Sequence, residues 1–402
     1  MAASHSPSAN DSPEQSAVRC VLMRGGTSKA LFFHESDVPP AGPVRDRFLK
    51  RAMGTPDVLQ IDGMGGSRLV TSKVAIIQRS ERPDVDVEYT FAQIDVDRDL
   101  IDNTATCGNI SSAVGPFAID EGLASAVEPI TTVRVLNTNT GKVFITQVPV
   151  RAGKARVLGD CAIPGVPGTG AQVLMDYANT IGAKTGQLLP TGNVIDKIEL
   201  ESGKSVPVSI VDAANPCVFI DAASLGLTGS ELPVPITRDR ALIEIIGEIQ
   251  SKAGQMIGLW PDWKAVHLPA LPLAVIVAAP VDYVDVNGDT QRAASMDLRA
   301  RLVFLGKCHD SMAGSGSMCL AAATRVPGSV ANLAVGPERA SKDTLHIGHP
   351  LGVMEVKVLA KPAKAPRDTT FATLSFARTA RRLMAGTIYV PHDPAQKAND
   401  GQ

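Results

Sequence analysis

The pattern of apolar and polar positions along the chain predicts a protein built mainly of short β-strands. Runs rich in Val, Ile and Leu recur, and clusters of Gly, Pro, Asn or Asp separate them, as expected for strands joined by turns. Asn139–Gly141 is predicted to be the tip of a hairpin between two of these strands. The predicted strands are Arg19–Met23, Leu69–Ile77, Val85–Ile94, Val133–Leu136, Val143–Val150, Val206–Val211, Cys217–Ile220, Ala274–Ala279, Val353–Val358 and Thr387–Val390.

Helical spacing of apolar residues is less frequent. The predicted helices are Arg45–Met53, Ile110–Glu121, Arg238–Ile257 and Met318–Thr324. Gly54 directly follows the first of them and is a good stop signal. Because helices are few and do not alternate regularly with strands, the pattern predicts an α+β fold with much antiparallel strand.

The length of 402 residues is accommodated most simply by two domains. Residues 1–16 are polar and rich in Ser and Pro, lack the apolar stretch of a signal peptide, and are expected to form a disordered tail. Gln187–Asn193 follows a hairpin-rich first half, and we predict a boundary there, with domains over residues 17–190 and 191–379. The longest apolar stretch, Leu271–Pro280, is far shorter than the about 20 residues that a membrane span needs.

Charge and composition narrow the functional classes. The 39 Lys and Arg residues nearly balance 41 Asp and Glu, which argues against a nucleic-acid partner. Six cysteines without a CxxC pair favour a reducing cytoplasm over a disulfide framework or a zinc site. Seven dispersed histidines without HExxH give no support for a metal, and no phosphate-binding glycine motif is present. We therefore expect no cofactor.

Lys73 is the first residue that could carry chemistry. Strand alternation places it on one face with Thr71 and Ala75, among apolar neighbours. Desolvation favours the neutral amine, and a neutral amine near neutral pH is a usable general base. The alternative is an edge-strand lysine that reaches solvent and prevents aggregation.

Cys107 precedes Gly108 and Asn109 at the start of a predicted helix. A cysteine at that position has its thiolate stabilised by unpaired backbone N–H groups, and a glycine lets a ligand approach the backbone. The alternative is a small buried residue in a tight turn. A second Gly/Ser-rich turn, His309–Ala323, would supply another anion-binding helix start, and we expect Cys319 inside that helix to serve packing.

A glycine-rich loop follows the first predicted strand. Arg24, with Thr27 and Ser28 beside it, could bind a carboxylate through its two guanidinium N–H edges. The alternative is an ordinary turn.

Eight stretches, taken in order, resemble the PrpF family, which includes 2-methylaconitate cis–trans isomerase, 4-oxalomesaconate tautomerase, methylitaconate isomerase and fungal aconitate Δ-isomerase. The stretches are MRGGTSK, QIDGMGG, TSKVAII, VDVEYTFAQ, CGN followed by VGPFAI, LLPTGN, GLTGSE and GHPLG. They cover nearly the whole chain after the tail. The family is similar in fold to diaminopimelate epimerase, so the resemblance implies two domains, each a mostly antiparallel sheet around a central helix, with residues 380–402 returning to the first.

The resemblance also implies the chemistry. Its TSK lysine and CGN cysteine form an acid–base pair, which corresponds here to Lys73 and Cys107. The remaining expected substrate-binding residues are Arg24, Thr27, Ser28, Gly65, Gly66, Ser72, Gly108, Asn109, Ser315, Gly316 and Ser317. Where the two-cysteine epimerases carry a second thiol, this sequence has Gly314-Ser315-Gly316, which favours a lysine–cysteine mechanism.

The expected activity is a cofactor-independent proton shift or cis–trans isomerisation in an unsaturated di- or tricarboxylate, by a cytoplasmic protein that could form a homodimer. An amino-acid racemase or epimerase and a non-catalytic accessory protein of an aconitase-like enzyme are the alternatives.

Overall fold

A computed structural model describes residues 14–361 and 363–392. Within those residues the strands are β1 (Gln15–Gly25), β2 (Ser28–His34), β3 (Lys73–Arg79), β4 (Val87–Ile94), β5 (Ile101–Asp102), β6 (Ile130–Asn137), β7 (Lys142–Arg151), β8 (Lys154–Ala155), β9 (Val173–Asp176), β10 (Asp196–Glu199), β11 (Ser205–Ala213), β12 (Asn215–Asp221), β13 (Leu273–Ala278), β14 (Tyr283–Val284), β15 (Thr290–Gln291), β16 (Leu298–Phe304), β17 (Lys307–Cys308), β18 (Thr344–His349), β19 (Gly352–Lys361), β20 (Thr370–Arg378) and β21 (Ala380–Pro391). The helices are α1 (Pro43–Met53), α2 (Gly108–Ser111), α3 (Val114–Asp120), α4 (Pro233–Arg238), α5 (Arg240–Met256), α6 (Gly314–Thr324), α7 (Val330–Val335) and α8 (Pro337–Ala340).

Hydrogen-bonded pairing connects all strands except β14 and β15 into one extended sheet system. Most neighbours are antiparallel, and β2–β3, β4–β6, β12–β13 and β16–β18 are the parallel pairs found within the described residues. Strand β20 pairs with β19 on one side and with β9 on the other. It therefore joins the first half of the chain, from β1 to β9, to the second half, which begins at β10. Strand β21 returns to pair with β1 over its whole length. The predicted α+β architecture is confirmed.

Each half of the sheet encloses a buried central helix. Helix α6 is buried along its full length, and α3 is buried from Val114 to Ile119. Both helices contribute to one continuous hydrophobic core. The starts of α2 and α6 are packed against each other, because a Cβ atom on Gly108 would lie 2.7 Å from the backbone of Gly314 and Ser315. This contact brings the two glycine-rich helix starts together at the junction of the halves.

Several local predictions are confirmed. Helix α1 begins with Pro43 at its first turn and ends at Gly54, which adopts a left-handed φ of 78°. The hairpin of β6 and β7 turns through Asn139–Gly141, and Gly141 has a φ of 67°. The long predicted helix Arg238–Ile257 is confirmed as α5, which begins at Arg240 after the separate short helix α4. Asp239 caps it, because its side chain accepts a hydrogen bond from the Leu242 N–H.

The predicted helix Ile110–Glu121 is wrong in its continuity, because the chain forms α2 and α3 with a break between them. Pro116 explains the break: it has no N–H to donate to residue 112, and its ring crowds the preceding turn. The predicted strand Leu69–Ile77 is also shorter than expected. Leu69–Thr71 forms a 3-10 turn, and the strand begins at Lys73.

The first strand starts at Gln15, inside the segment expected to be a disordered tail. Gln15 and Ser16 pair with Pro391 and Val390, and the Ser16 hydroxyl lies 2.7 Å from Nε2 of His392. The rest of that predicted tail, residues 1–13, and the last ten residues of the chain lie outside the described residues. Across the described part of the chain, no helix has the length and apolarity needed to cross a membrane.

Candidate active site

Lys73 is buried at the first residue of β3, which lies between β2 and β4, so it is not the solvent-reaching lysine of an edge strand. Its side chain is 2% exposed, and Nζ donates a hydrogen bond to Oε1 of Gln93. The Gln93 amide is fixed in that orientation because its Nε2 donates to the carbonyls of Leu69 and Ser72, at 3.1 and 3.0 Å. The ammonium therefore has a neutral amide as its hydrogen-bond partner.

Burial lowers the pKa of Lys73, and the nearby Cys107 thiol and Asp102 carboxylate oppose that shift only in part. The centre of the Phe91 ring lies 5.3 Å from Nζ and gives the amine an apolar neighbour. This setting favours the neutral amine relative to a lysine in water, and a neutral amine can accept a proton.

Cys107 is the residue immediately before α2, and its thiol is buried. Its carbonyl accepts hydrogen bonds from the N–H and the hydroxyl of Ser111, both at 2.9 Å. Cys107 thus stands at a helix start, as predicted, although α2 has only four residues and therefore a small dipole. The charged group that faces the thiol is the side chain of Lys73.

One small cavity brings the two residues together. Lys73, Cys107 and Ser315 all line it, together with Asp102 and His309. Its walls come from both halves of the chain. The cavity volume is ≈ 20 Å³, about enough for one water molecule. An organic acid can therefore reach these groups only if the cavity widens.

His309 adds an uncharged donor to this cavity, which is called the catalytic cavity below because both predicted acid–base residues line it. Its Nδ1 accepts a hydrogen bond from the Ser311 N–H at 3.0 Å, which leaves the proton of the neutral ring on Nε2. Burial, and to a smaller extent the charge of Lys73, lowers the pKa of His309 to about 3. A neutral imidazole with a fixed Nε2–H can donate to a carboxylate without adding a proton to it.

Arg378 lies behind Asn109 as a buried guanidinium. Its Nε donates to Oδ1 of Asn109 at 2.9 Å, while Nδ2 of Asn109 donates to the Met312 carbonyl at 3.3 Å. Within the described residues no carboxylate pairs with Arg378; the ring of Phe376 lies 4.4 Å from it and Sδ of Met354 lies 3.6 Å from Nη2. Burial lowers its pKa to about 10. The Asn109 amide is thus held between the two halves by a buried cation.

Three other predicted substrate-binding residues lie in a packed network. The Ser72 hydroxyl accepts a hydrogen bond from Nε2 of Gln60 at 2.7 Å. A Cβ on Gly65 would lie 2.2 Å from the Gln60 side chain, and one on Gly66 would lie 2.6 Å from Oγ1 of Thr71. These contacts shape the loop before β3, and none of the three residues lines the catalytic cavity.

The small residues at the starts of α2 and α6 allow close packing. Ser315 has its hydroxyl bound to Asn215 at 2.9 Å and to the Thr106 carbonyl at 3.1 Å. The Ser317 hydroxyl donates to the carbonyl of Gly314, within its own helix. A Cβ on Gly316 would lie 2.4 Å from Leu302. Together with Gly108, these residues let the helix starts approach each other, and Ser315 alone among them lines the catalytic cavity.

Arg24, Thr27 and Ser28 line a different and larger cavity. Nη1 of Arg24 donates to the carbonyls of Gly26 and Thr379, at 3.0 and 2.8 Å. The Thr27 hydroxyl lies 2.8 Å from that of Ser311. The structure thus places Lys73, Cys107 and Ser315 at the small cavity and Arg24, Thr27 and Ser28 at the larger one, and the other predicted site residues line neither.

Cys319 lies inside α6 and is buried, as expected. Its thiol donates to the Val211 carbonyl at 3.2 Å, and it adjoins Cys217. Burial raises the pKa of Cys217 well above its usual range. Neither thiol lines the catalytic cavity, so Cys107 is the thiol that the described structure brings to Lys73.

Gln93, His309 and Arg378 were not identified as site residues from the sequence. The alternation VEYTFAQ places Gln93 directly opposite Lys73 on β4, and this cross-strand position was a usable signal. His309 and Arg378 gave no such signal, because each reaches the site from a distant part of the chain. Among the described residues no group of three or more His, Cys, Asp or Glu is arranged to hold a metal ion.

A sequence profile of the family described as PrpF protein matches residues 15–391. The chain belongs to the PrpF family. It is 44% identical over 380 residues to a 3-methylitaconate isomerase of Eubacterium barkeri, an alignment that covers 94% of this chain and 98% of that protein.

Two further members of the PrpF family are similar over nearly their whole length. A 2-methyl-aconitate isomerase of Shewanella oneidensis is 35% identical, with 94% of this chain and 98% of that protein covered. A 4-oxalomesaconate tautomerase of Pseudomonas putida is 36% identical with the same coverage. These relatives support the conclusion that this member of the PrpF family is an isomerase.

Solved structures agree with the fold. A crystal structure of methylitaconate-delta-isomerase is 43% identical and superposes with a TM-score of 0.74, covering 94% of this chain and 97% of that one. A hydroxyproline epimerase from Agrobacterium vitis is 15% identical with a TM-score of 0.57, covering 95% and 94%. The expected epimerase-like fold is confirmed.

Proposed function

We propose that this isomerase moves a proton in an unsaturated di- or tricarboxylate, with Lys73 and Cys107 as its acid–base pair. The observation that carries the proposal is the single buried cavity that both side chains line, at the junction of the two halves. The relatives act on methylitaconate, methylaconitate and oxalomesaconate by their names, and these acids share an acidic C–H beside a double bond.

The chemistry needs one proton acceptor and one proton donor on a flat substrate. One member of the pair removes the allylic proton, and the negative charge spreads through the double bond onto carboxylate oxygens. The other member delivers a proton to the far allylic carbon, or to the original carbon after rotation about the bond. Proton exchange of both groups with solvent then restores the starting state, so neither an oxidant nor a cofactor enters the balance. Either residue can act first in this scheme.

Neighbouring groups fit the developing charge. The Nε2–H of His309 is a fixed neutral donor at the cavity wall, and preorganised donors stabilise enolate-type oxygens more than ground-state ones. Arg378 supplies a buried positive charge behind Asn109. We assign Asn109 and Arg378 to positioning and charge compensation, because neither lines the catalytic cavity.

The two alternative functions are less well supported. A racemase with two thiols would need a second cysteine at the start of α6, where Gly314, Ser315 and Gly316 stand instead and Cys319 donates to a backbone carbonyl. A non-catalytic accessory protein would have no use for a buried lysine with a lowered pKa beside a thiol.

Incubating the purified protein alone with trans-aconitate, methylaconitate, methylitaconate and oxalomesaconate tests the proposal. We expect conversion of at least one acid, which chromatography of the products would detect. Proline and hydroxyproline in deuterated water form the comparison arm. Loss of α-protons from the amino acids, with all four unsaturated acids unchanged, would favour the racemase. No conversion in either arm would favour the accessory role.

A further inference from the structure

Three cationic side chains lie in one row across neighbouring strands. In the register of β1 with β2, Arg24 is directly opposite Lys29. In the register of β1 with β21, Arg24 is directly opposite Arg381. Residues directly opposite each other in an antiparallel pair project from the same face, so the three cations share one face of the sheet. Like charges at such positions repel each other unless an anion lies among them.

No such anion is provided by the protein in the part of the chain that the structure describes. Arg24, Lys29 and Arg381 all line one cavity, and its described lining contains neither Asp nor Glu. The ion pairs found among residues 14–361 and 363–392 include none of the three. Burial, and then the charge of Arg381, lowers the pKa of Arg24. The row is therefore a concentration of uncompensated positive charge on a protein whose net charge is -2.

The cavity over this row has the size and polarity for a small organic anion. Its volume is ≈ 680 Å³, against ≈ 20 Å³ for the catalytic cavity. Ser28 is one of its lining residues, and the buried Ser28 hydroxyl has no hydrogen-bond partner within the described residues. An unpartnered buried hydroxyl carries an energetic cost that a bound acceptor such as a carboxylate oxygen would remove. Val166 and Leu383 supply an apolar wall for the carbon skeleton.

This cavity adjoins the catalytic one. Thr71 lines the larger cavity, and Lys73, two residues further along the chain, lines the smaller. The Thr27 hydroxyl in the larger cavity lies 2.8 Å from the Ser311 hydroxyl, and the Ser311 N–H holds the ring of His309 in the smaller. The Thr27–Ser311 hydrogen bond thus links a residue of the larger cavity to the residue that orients His309 in the smaller one.

We propose that the larger cavity is a capture site. The carboxylates of the substrate first bind there to Arg24, Lys29 and Arg381. The acid then moves past Thr27 and Ser311 to Lys73 and Cys107. This inference rests on the proposed function for the identity of the substrate. It assigns Lys29 and Arg381, which do not line the catalytic cavity, to substrate binding, and it makes the apparent affinity depend on a local positive charge.

Binding of tricarballylate, a saturated tricarboxylate that has no double bond to isomerise, tests the capture site independently of turnover. Calorimetry on the wild-type protein is compared with the double variant Lys29→Gln/Arg381→Gln. Each lost charge-assisted contact weakens binding by roughly 10-fold, so we expect roughly a 10- to 100-fold increase in Kd. Lys197→Gln is the control, because Lys197 is exposed on β10 and lines neither cavity.

Turnover of whichever unsaturated acid the protein converts provides the second measurement. In the double variant, KM should rise with kcat changed by less than about threefold, and the fall of kcat/KM with added salt should flatten. An unchanged Kd and KM in the double variant, or an equal change in Lys197→Gln, would overturn the capture site while leaving the isomerase intact. Tricarballylate binding that depends on Lys29 and Arg381, without turnover of any unsaturated acid, would contradict the proposed function and support the capture site.

Discussion

His309 should make the protein sensitive to acid, and the size of the effect follows from its burial. The folded protein lowers the pKa of His309 from 6.5 to about 3, mainly through desolvation. The unfolded chain regains the ordinary value, so between these two pH values it binds more protons than the folded chain does. Stability contributed by this group is therefore complete above about pH 6.5 and is lost as the pH falls. At about pH 5 the loss is about 2 kcal/mol, from the ratio of the two binding polynomials.

The measurement is urea unfolding at about pH 7.5 and about pH 5 for the wild type and for His309→Asn. Asparagine retains an acceptor for the Ser311 N–H but does not titrate in this range. The wild type should lose about 2 kcal/mol more between the two pH values than the variant. His267→Asn is the control, since this side chain is 69% exposed. Equal pH dependence of the wild type and His309→Asn would refute the reasoning, and with it the neutral imidazole in the cavity.

Further predictions concern packing and charge around the same site. Gly108→Ala should cost about 1–3 kcal/mol in urea unfolding, because its Cβ would lie 2.7 Å from the backbone of α6. Gly386→Ala, where no atom lies within 4 Å of the added Cβ, should stay within about 0.5 kcal/mol of the wild type, and equal costs would contradict the close helix contact. Arg378→Met should lower kcat/KM by roughly 10-fold or more without lowering the free energy of unfolding, because it removes a buried cation that has no carboxylate partner within the described residues. A less stable variant with normal kcat/KM would assign Arg378 to structure alone.

The local features of the fold follow from the sequence. Pro43 and Gly54 delimit α1, and the Asn139–Gly141 turn forms a hairpin, because each depends on a few neighbouring residues. The break between α2 and α3 could have been predicted from Pro116, whose effect is equally local. The sequence leaves two alternatives for Lys73, a buried position or a solvent-reaching position on an edge strand. The pairing of β3 with both β2 and β4 decides for the buried position.

The composition of the site depends on contacts that local patterns do not contain. Arg378 reaches Asn109 across 269 positions of the chain, and Ser311 reaches Thr27 across 284. Arg378 is the last residue of β20, and the pairing of β20 and β21 with the first half places it beside Asn109. The register of that pairing is set by the whole sheet. The cationic row appears only in that register, since its three members come from three different strands.

Deuterium incorporation during turnover in deuterated water tests the Lys73–Cys107 pair most directly. The proton delivered to the substrate comes from a group that exchanges with solvent, so the product should carry deuterium at the carbon that receives it. Lys73→Gln and Cys107→Ser should each lower kcat by roughly 100-fold or more while unfolding like the wild type. The control Cys161→Ser should leave kcat unchanged, because Cys161 lines neither cavity. A product without solvent deuterium, or near-normal turnover in either variant, would contradict the acid–base pair.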